Sequence, residues 1–435
     1  MSSTKLIKNF TSLSSVQIIN YIFPLITIPY ISRIIGPDGY GIINYATAYI
    51  TYLTLIISYG FDFTSTRKIT RIKDIKDGII NKIVSEVLLA RIFLFFVSII
   101  IFICFLFLFK PLNQNPFTAI VLFIGCIGTV LSPQYIYQGF QDLVIYAKVN
   151  FIKGIINVIL VFILIKEPSD YIFLPILTSG FLIIINLSLF IYAVKKYKIK
   201  LQLIKIRDII KLINTDKIVF FSTIVISLYT TTNVVVLGFF ASKEDIGYYS
   251  TSLNLLNIAN SIIAMPLSTA LFPFIGKAFS KSREEGIRVV QKITPIIIYL
   301  TLLASLGILI LAPYIIEIIF GDKFVNSIAP LRILSFLPFI IGLSNILGIQ
   351  LMLNMGLDKL FLLTTSIASA IGVILNIFMS KYLGYIGTAW NCLIVEIIVT
   401  LIMYFTLLKK GINIISLENF KFSSIQKMFI KSDVK

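Results

Sequence analysis

From Ile42 to Asp62 the chain runs a bilayer's thickness with no charge until its last residue. About 20 residues at ~1.5 Å each cross a ~30 Å hydrocarbon layer as one helix. The polar residues in this stretch are not scattered. Asn44, Thr47, Thr51, Thr54, Ser58 and Asp62 recur at steps of three and four, which puts them on one face. Lipid tails offer amides and hydroxyls no partners, so such a rib must face other helices or water. It is either interhelical glue or the wall of a solute path.

The rest of the chain is of the same kind: 57% of its residues are hydrophobic and 13% charged. That balance excludes an ordinary soluble domain and predicts an all-α integral membrane protein. Cys104, Cys126 and Cys392 lie inside apolar runs and read as small hydrophobes, not disulfide partners or metal ligands. There is no histidine, which removes the usual metal ligand, proton shuttle and Ser-His or Cys-His chemistry. No cofactor or metal is expected.

Hydropathy predicts about twelve spans, near 12–33, 41–64, 84–109, 117–137, 145–165, 171–194, 217–240, 247–275, 293–316, 330–353, 360–380 and 386–408. The first is a full span without a small-residue cleavage site, so it reads as a helix and not a cleavable signal. The net charge of +18 has a topological cause. Thirty of the 38 lysines and arginines fall in or near alternate connections, including Arg67 to Lys82, Lys195 to Lys217 and Lys277 to Lys292. The other connections are short and hold few cations. The positive-inside rule places the basic set, and both termini, in the cytoplasm; nucleic acid is not an expected partner. The domain reading is a six-helix lobe over 1–200, a basic linker over 201–216, a second lobe over 217–410 and a cytoplasmic tail over 411–435. The tail is either an amphipathic surface helix or a frayed end.

The halves repeat weakly. GPDGYGIINYATAYI around Gly41 matches SKEDIGYYSTSLNLL around Gly247, 206 residues later. The eighth span then carries its own rib, Ser250, Asn254, Asn257 and Ser261. Asn150, Lys153 and Asn157 share a face of the fifth span, and Thr365, Ser369, Gly372 and Asn376 share one of the eleventh. Six spans per half give the halves the same orientation, related by an axis along the membrane normal. Ribs on corresponding helices can then face a central cleft, which favours the solute-path reading.

A charge near mid-bilayer costs several kcal/mol and is a functional candidate by default. Lys153, with Asn150 and Asn157 beside it, either faces a cavity or snorkels to the cytoplasm. Arg91 holds an anionic group, or pairs with a carboxylate such as Glu86 or with a lipid phosphate. Asp62 either pairs with nearby Arg67 or titrates, and Asp62 and Glu86 are the candidates for a coupling ion. Glu396 stands isolated. Pro24, Pro29, Pro266, Pro273 and Pro338 interrupt three spans, where helices can bend.

SRIIGPDGYG at Ser32–Gly41, YGFDFTSTRKI at Tyr59–Ile69, YQGFQD at Tyr137–Asp142, IGYYS at Ile246–Ser250, GIQLMLNMG at Gly348–Gly356 and GYIGTAWNCLIVE at Gly384–Glu396 resemble polysaccharide flippases. These are the O-antigen and capsule type of lipid-linked oligosaccharide translocase, in the superfamily that includes multidrug and toxin extruders. The resemblance implies two six-helix lobes around a central cavity in the bacterial cytoplasmic membrane. It implies an undecaprenyl-diphosphate-linked oligosaccharide moved outward by alternating access, with membrane lipids, a polymerase and chain-length machinery as partners. Relatives that carry the peptidoglycan precursor have arginines in the first and eighth spans. The corresponding stretches here offer Asn20, Tyr21, Thr27 and Ser252. That departure moves the expected phosphate contacts to Lys153 and Arg91, with Asn150, Asn157, Thr47, Thr51, Thr54, Asn254 and Asn257 as further cavity candidates.

Two rivals differ in what they need. A drug–cation antiporter of the same superfamily wants buried carboxylates, whereas cations prevail here. A membrane polysaccharide polymerase wants an acid/base or metal constellation at the surface, and the short outer connections carry almost none. The chain is therefore expected not to be an enzyme.

Overall fold

The computed structural model describes residues 3–70, 72, 77–413 and 417–420. The side chains of Asn20 and Tyr21, and the tail beyond Phe420, lie outside the described residues. The helices in chain order are α1 (Ser3–Ser58), α2 (Phe61–Thr70), α3 (Asp77–Leu108), α4 (Lys110–Gln114), α5 (Pro116–Val130), α6 (Gln134–Gly139), α7 (Leu143–Leu164) and α8 (Phe173–Lys196). They continue with α9 (Ile206–Thr230), α10 (Thr232–Phe240), α11 (Lys243–Phe279), α12 (Arg283–Ile319), α13 (Ile328–Leu334), α14 (Leu337–Asn345) and α15 (Asp358–Lys409). A π-helical turn, Ile346–Leu353, follows α14.

The expected spans fall on these helices, four of them (41–64, 117–137, 217–240 and 330–353) divided between consecutive ones, and the all-helical membrane fold is as the sequence predicts. Two helices are too long to be single spans. At ~1.5 Å per residue, the 52 residues of α15 far exceed a ~30 Å layer. Both α1 and α15 are in fact two helices meeting at a glycine, Gly36 with φ 67° and Gly384 with φ 56°. Side chains rarely adopt that backbone region. Each glycine thus turns one limb into the next without a loop, which explains why the connections at 36–40 and 383–385 are so short.

The chain divides into two compact units. One comprises Met1–Ser227, Ser242–Gly247 and Ile319–Lys323; the other comprises Leu228–Ala241, Tyr248–Ile318 and Phe324–Lys435. In the first, Phe61, Val84, Val87, Ala90, Tyr135 and Ile136 form the centre of a buried cluster. In the second, Leu347, Leu351, Met352, Ala368, Val399 and Leu407 do so. Phe96, Ile100, Phe107, Leu303, Ile310, Ile318 and Phe378 point outward, the expected lipid-facing belt. Because lipid is as apolar as leucine, burial itself drives little; close packing at small residues and buried hydrogen bonds hold the helices together. Gly128 shows it: a Cβ there would lie 2.6 Å from the Leu182 backbone, and its carbonyl accepts from Asn186 at 2.8 Å.

The sequence repeat appears within the first unit as a reciprocal contact. A Cβ on Gly41 would lie 1.8 Å from the carbonyl oxygen of Lys243, and one on Gly247 would lie 2.1 Å from that of Pro37. Lys243 is 206 residues beyond Pro37 and Gly247 is 206 beyond Gly41. Equivalent residues exchange equivalent contacts, the signature of a local two-fold axis.

Candidate functional site

In the first unit, Tyr59 (φ 48°) and Gly60 (φ 76°) break the chain between α1 and α2. This turns Asp62, in the first turn of α2, towards α3. There Arg91 Nη2 lies 2.9 Å from Asp62 Oδ1, a charge contact off the hydrogen-bond line. Arg91 Nη1 donates to the Ser132 carbonyl at 2.6 Å, which is free because α5 ends at Val130. The guanidinium also stands 5.4 Å from the centre of the Tyr135 ring. Arg91 is only 1% exposed. Its partner is thus Asp62, not Glu86, and the partner of Asp62 is Arg91, not Arg67. Glu86 lies 3.7 Å from Lys82, one turn away.

The motif around Asp62 continues as a brace. Thr66 donates to the Asp62 carbonyl at 2.6 Å and to Gln138 at 3.2 Å. Tyr137 donates to the Leu189 carbonyl at 2.8 Å. Asp142, which ends YQGFQD, takes Tyr197 at 2.7 Å and pairs with Lys196. Burial and the Asp142 carboxylate raise the Tyr197 phenol above its ordinary value. Residues picked as family motifs are here the joints of the helix bundle.

The rib on α1 is uneven. Thr47 is exposed, while Thr51 and Thr54 are half-buried. Thr51 donates to the Thr47 carbonyl at 2.8 Å, and Asn44 to the Tyr40 carbonyl at 2.7 Å. Thr54 Oγ1 approaches Cys126 Sγ at 3.6 Å. On α7, Lys153 is half-buried and has no ion-pair partner among the described residues. Asn150 donates to the Tyr146 carbonyl at 2.8 Å, and Asn157 is half-buried. Gly154, next to Lys153, lets Phe23 approach to where a Cβ would be 2.0 Å from its ring. The structure therefore seats α7 directly on α1.

The second unit encloses a cavity of 270 Å³ whose polar lining includes Asn257, Asn260, Ser344, Asn345, Thr365 and Glu396. Ser344 donates to Glu396 Oε1 at 2.7 Å. Glu396 is 9% exposed, and among the described residues no lysine or arginine lines the cavity. Its walls come from α11, α14, the π-helical turn and both limbs of α15. Asn391 anchors the second limb by donating to Asn233 at 3.0 Å. The π-helical turn, a geometry often found at functional sites, carries Ile349 into the same wall. Asn257 lies on this cavity, whereas Asn254 is half-buried beside it in sequence and does not line it. Sequence reading left Glu396 without a role and missed Asn260, Ser344 and Asn345. The available signal was GYIGTAWNCLIVE, which ends on Glu396.

Among the described residues no group of histidine, cysteine, aspartate and glutamate is placed to hold a metal ion. Joints made of buried charge, hydroxyl ribs and a polar cavity inside an all-helical, multi-span bundle define the class: an integral membrane protein with its polar chemistry turned inward. The chain belongs to the polysaccharide biosynthesis protein family, whose model matches residues 6–279. It is 26% identical over 396 residues to a putative O-antigen transporter of Escherichia coli (strain K12), covering 91% of this chain and 95% of that one. The fold is similar to that of the lipid II flippase MurJ in its inward closed conformation, with a TM-score of 0.75 at 15% identity over 97% of this chain and 91% of the other. An inward-facing multidrug resistance transporter of the MATE family is also similar, with a TM-score of 0.70 at 14% identity over 92% and 98%. These findings bear out the family resemblance and the fold that it implies.

Proposed function

We propose that the protein flips a lipid-linked oligosaccharide, carried on undecaprenyl diphosphate, from the inner to the outer leaflet of a bacterial cytoplasmic membrane by alternating access. The observation that carries this reading is the near full-length match to an O-antigen transporter. Physical chemistry supports it. Amides and hydroxyls on Thr47, Thr51, Asn150 and Asn157 suit a glycan, and Lys153, half-buried and unpaired among the described residues, suits a phosphate. Both termini are cytoplasmic in this reading, by the positive-inside rule. A polymerase and chain-length machinery would take the product.

With the cell interior negative, moving two uncompensated negative charges outward gains about 4.6 kcal/mol per 100 mV, at ~2.3 per charge. Export driven by an ion through Asp62 would require Arg91 to release it, and through Glu86 would require Lys82 to do so. One observation favours the second reading, a cation-coupled multidrug antiporter: the buried Glu396 carboxyl in a cavity that no lysine or arginine lines among the described residues.

The test is complementation in a strain that lacks its own transporter. Lys153→Ala is expected to abolish surface polysaccharide at normal protein level, and Lys153→Arg to restore it. Unchanged polysaccharide in Lys153→Ala removes that residue from the site. Unchanged polysaccharide on deletion of the whole gene, with altered drug resistance, favours the antiporter.

A further inference from the structure

The molecule carries a second basic feature that the proposed transport path does not use. It lies in the first unit, where α9 packs on α2. Helix α9 has two faces. Ile209, Leu212 and Asp216 are buried. The opposite face carries Arg207, Lys211, Asn214 and Lys217, then Ile218 and Phe221, all exposed. Against its base, Arg67, Lys68, Thr64, Thr215 and Asp216 line a hollow of 370 Å³. A broader depression of 840 Å³, lined by Lys205, Arg207, Lys211 and Lys217, meets it at Thr215.

The acids in this region do not cancel the cations. Asp216 is 4% exposed; it accepts from Thr64 at 2.7 Å and from Lys68 at 3.4 Å. Its charge is thus spent on joining α9 to α2. Asp208 lines the broader depression and faces Glu86, itself held by Lys82. Arg67, Lys205, Arg207 and Lys211 have no ion-pair partner among the described residues. The result is a concave, strongly positive surface. Topology alone accounts for cations at this surface, but not for their convergence on two adjoining hollows.

The surface is also graded along α9. Beyond Lys217 the exposed face turns apolar, with Ile218 69% and Phe221 58% exposed. A phosphate that ends in a hydrocarbon tail has this same order of parts. A free phosphate has no use for the apolar half, and a bulk phospholipid has no use for the concavity.

We infer that the hollow between α2 and α9, together with the depression that adjoins it at Thr215, is a loading site for the diphosphate headgroup of a membrane-embedded polyprenyl lipid, with Arg67 of the first and Lys211 and Lys217 of the second as its contacts and the Ile218–Phe221 face as the seat of the first part of the tail. Arg67 can grip two phosphate oxygens at once, whereas the lysines act as point charges. The site rests on the flippase reading for the identity of the lipid, and it precedes the transport path: it gathers substrate at the leaflet surface.

The test uses the full-length protein in phosphatidylcholine nanodiscs, with a polyprenyl diphosphate as probe and binding read directly. Neutralising Arg67, Lys211 and Lys217 together (R67Q, K211Q and K217Q) is expected to weaken binding about tenfold or more, since cations near a lipid phosphate each contribute measurably. The charge-preserving set (R67K, K211R and K217R) is expected to retain most of it. A correctly folded neutralised protein with unchanged binding overturns the site. So does equal competition by phosphatidylglycerol, which would make the hollow a general anionic-lipid contact, or by inorganic diphosphate, which would remove the tail. Flipping in liposomes separates this inference from the function. The neutralised protein is expected to need more substrate for half-maximal flipping at an unchanged maximal rate. A wild type that binds the probe but flips nothing defeats the transporter reading and leaves the loading site standing.

Discussion

Each unit holds a carboxylate within its bundle, Asp62 half-buried and Glu396 buried, and the two do so in opposite ways. Asp62 meets Arg91 at 2.9 Å, and that arginine also grips the Ser132 carbonyl. Among the described residues Glu396 meets a serine hydroxyl, at 2.7 Å, in a cavity with no lysine or arginine on its lining. The first arrangement keeps both charges and ties three helices at a point. The second is tolerable only while something cancels a lone charge, because an ionised carboxylate without a partner is far costlier to bury than a hydrogen-bonded neutral group. The first is a structural joint; the second is a polar seat with room beside it.

The largest effect should come from breaking the joint. Arg91→Ala leaves Asp62 without its counter-charge and is expected to cost about 1–3 kcal/mol, below the range for a fully buried pair because Asp62 is 27% exposed. Thermal unfolding in detergent reads this as a lower midpoint. Arg91→Met with Asp62→Asn should recover much of the loss, since removing both charges avoids the penalty. If the double variant is as unstable as the single one, the pair is not what holds these helices. Next in size, Ser344→Ala removes the hydroxyl that donates to Glu396 and should cost ~1 kcal/mol. Glu86→Gln breaks an i,i+4 pair with Lys82, which is 56% exposed, and should cost only about 0.3–0.5 kcal/mol. Smallest of all, Glu396→Gln keeps an acceptor for Ser344 and should leave the unfolding midpoint where it was. A large drop there would mean that the carboxylate is ionised and held by a group the comparison has missed.

Much of this architecture is written in local sequence. Period and length locate the spans, and the glycines at 36 and 384 mark where one limb turns into the next. The 206-residue repeat pointed to Gly41 and Gly247, which the structure brings into reciprocal contact. The buried charges were legible as residues but not as pairs. Asp62 has Arg67 nearby in sequence, yet its partner comes from another helix, because the Tyr59–Gly60 break aims α2 at α3. No local pattern encodes that angle. The cavity around Glu396 was hidden for the same reason. Ser344 lies 52 residues before it, and the wall depends on a π-helical turn that no spacing of apolar residues announces.

The paired glycines carry a consequence of their own. Each lies beneath a carbonyl of the other copy, with no space for even a methyl group. The joint works as a mortise cut in two timbers at once: neither can be recut alone. A chimaera that takes residues 37–41 from a relative while keeping 243–247 from this chain should assemble poorly, and one that exchanges both together should not.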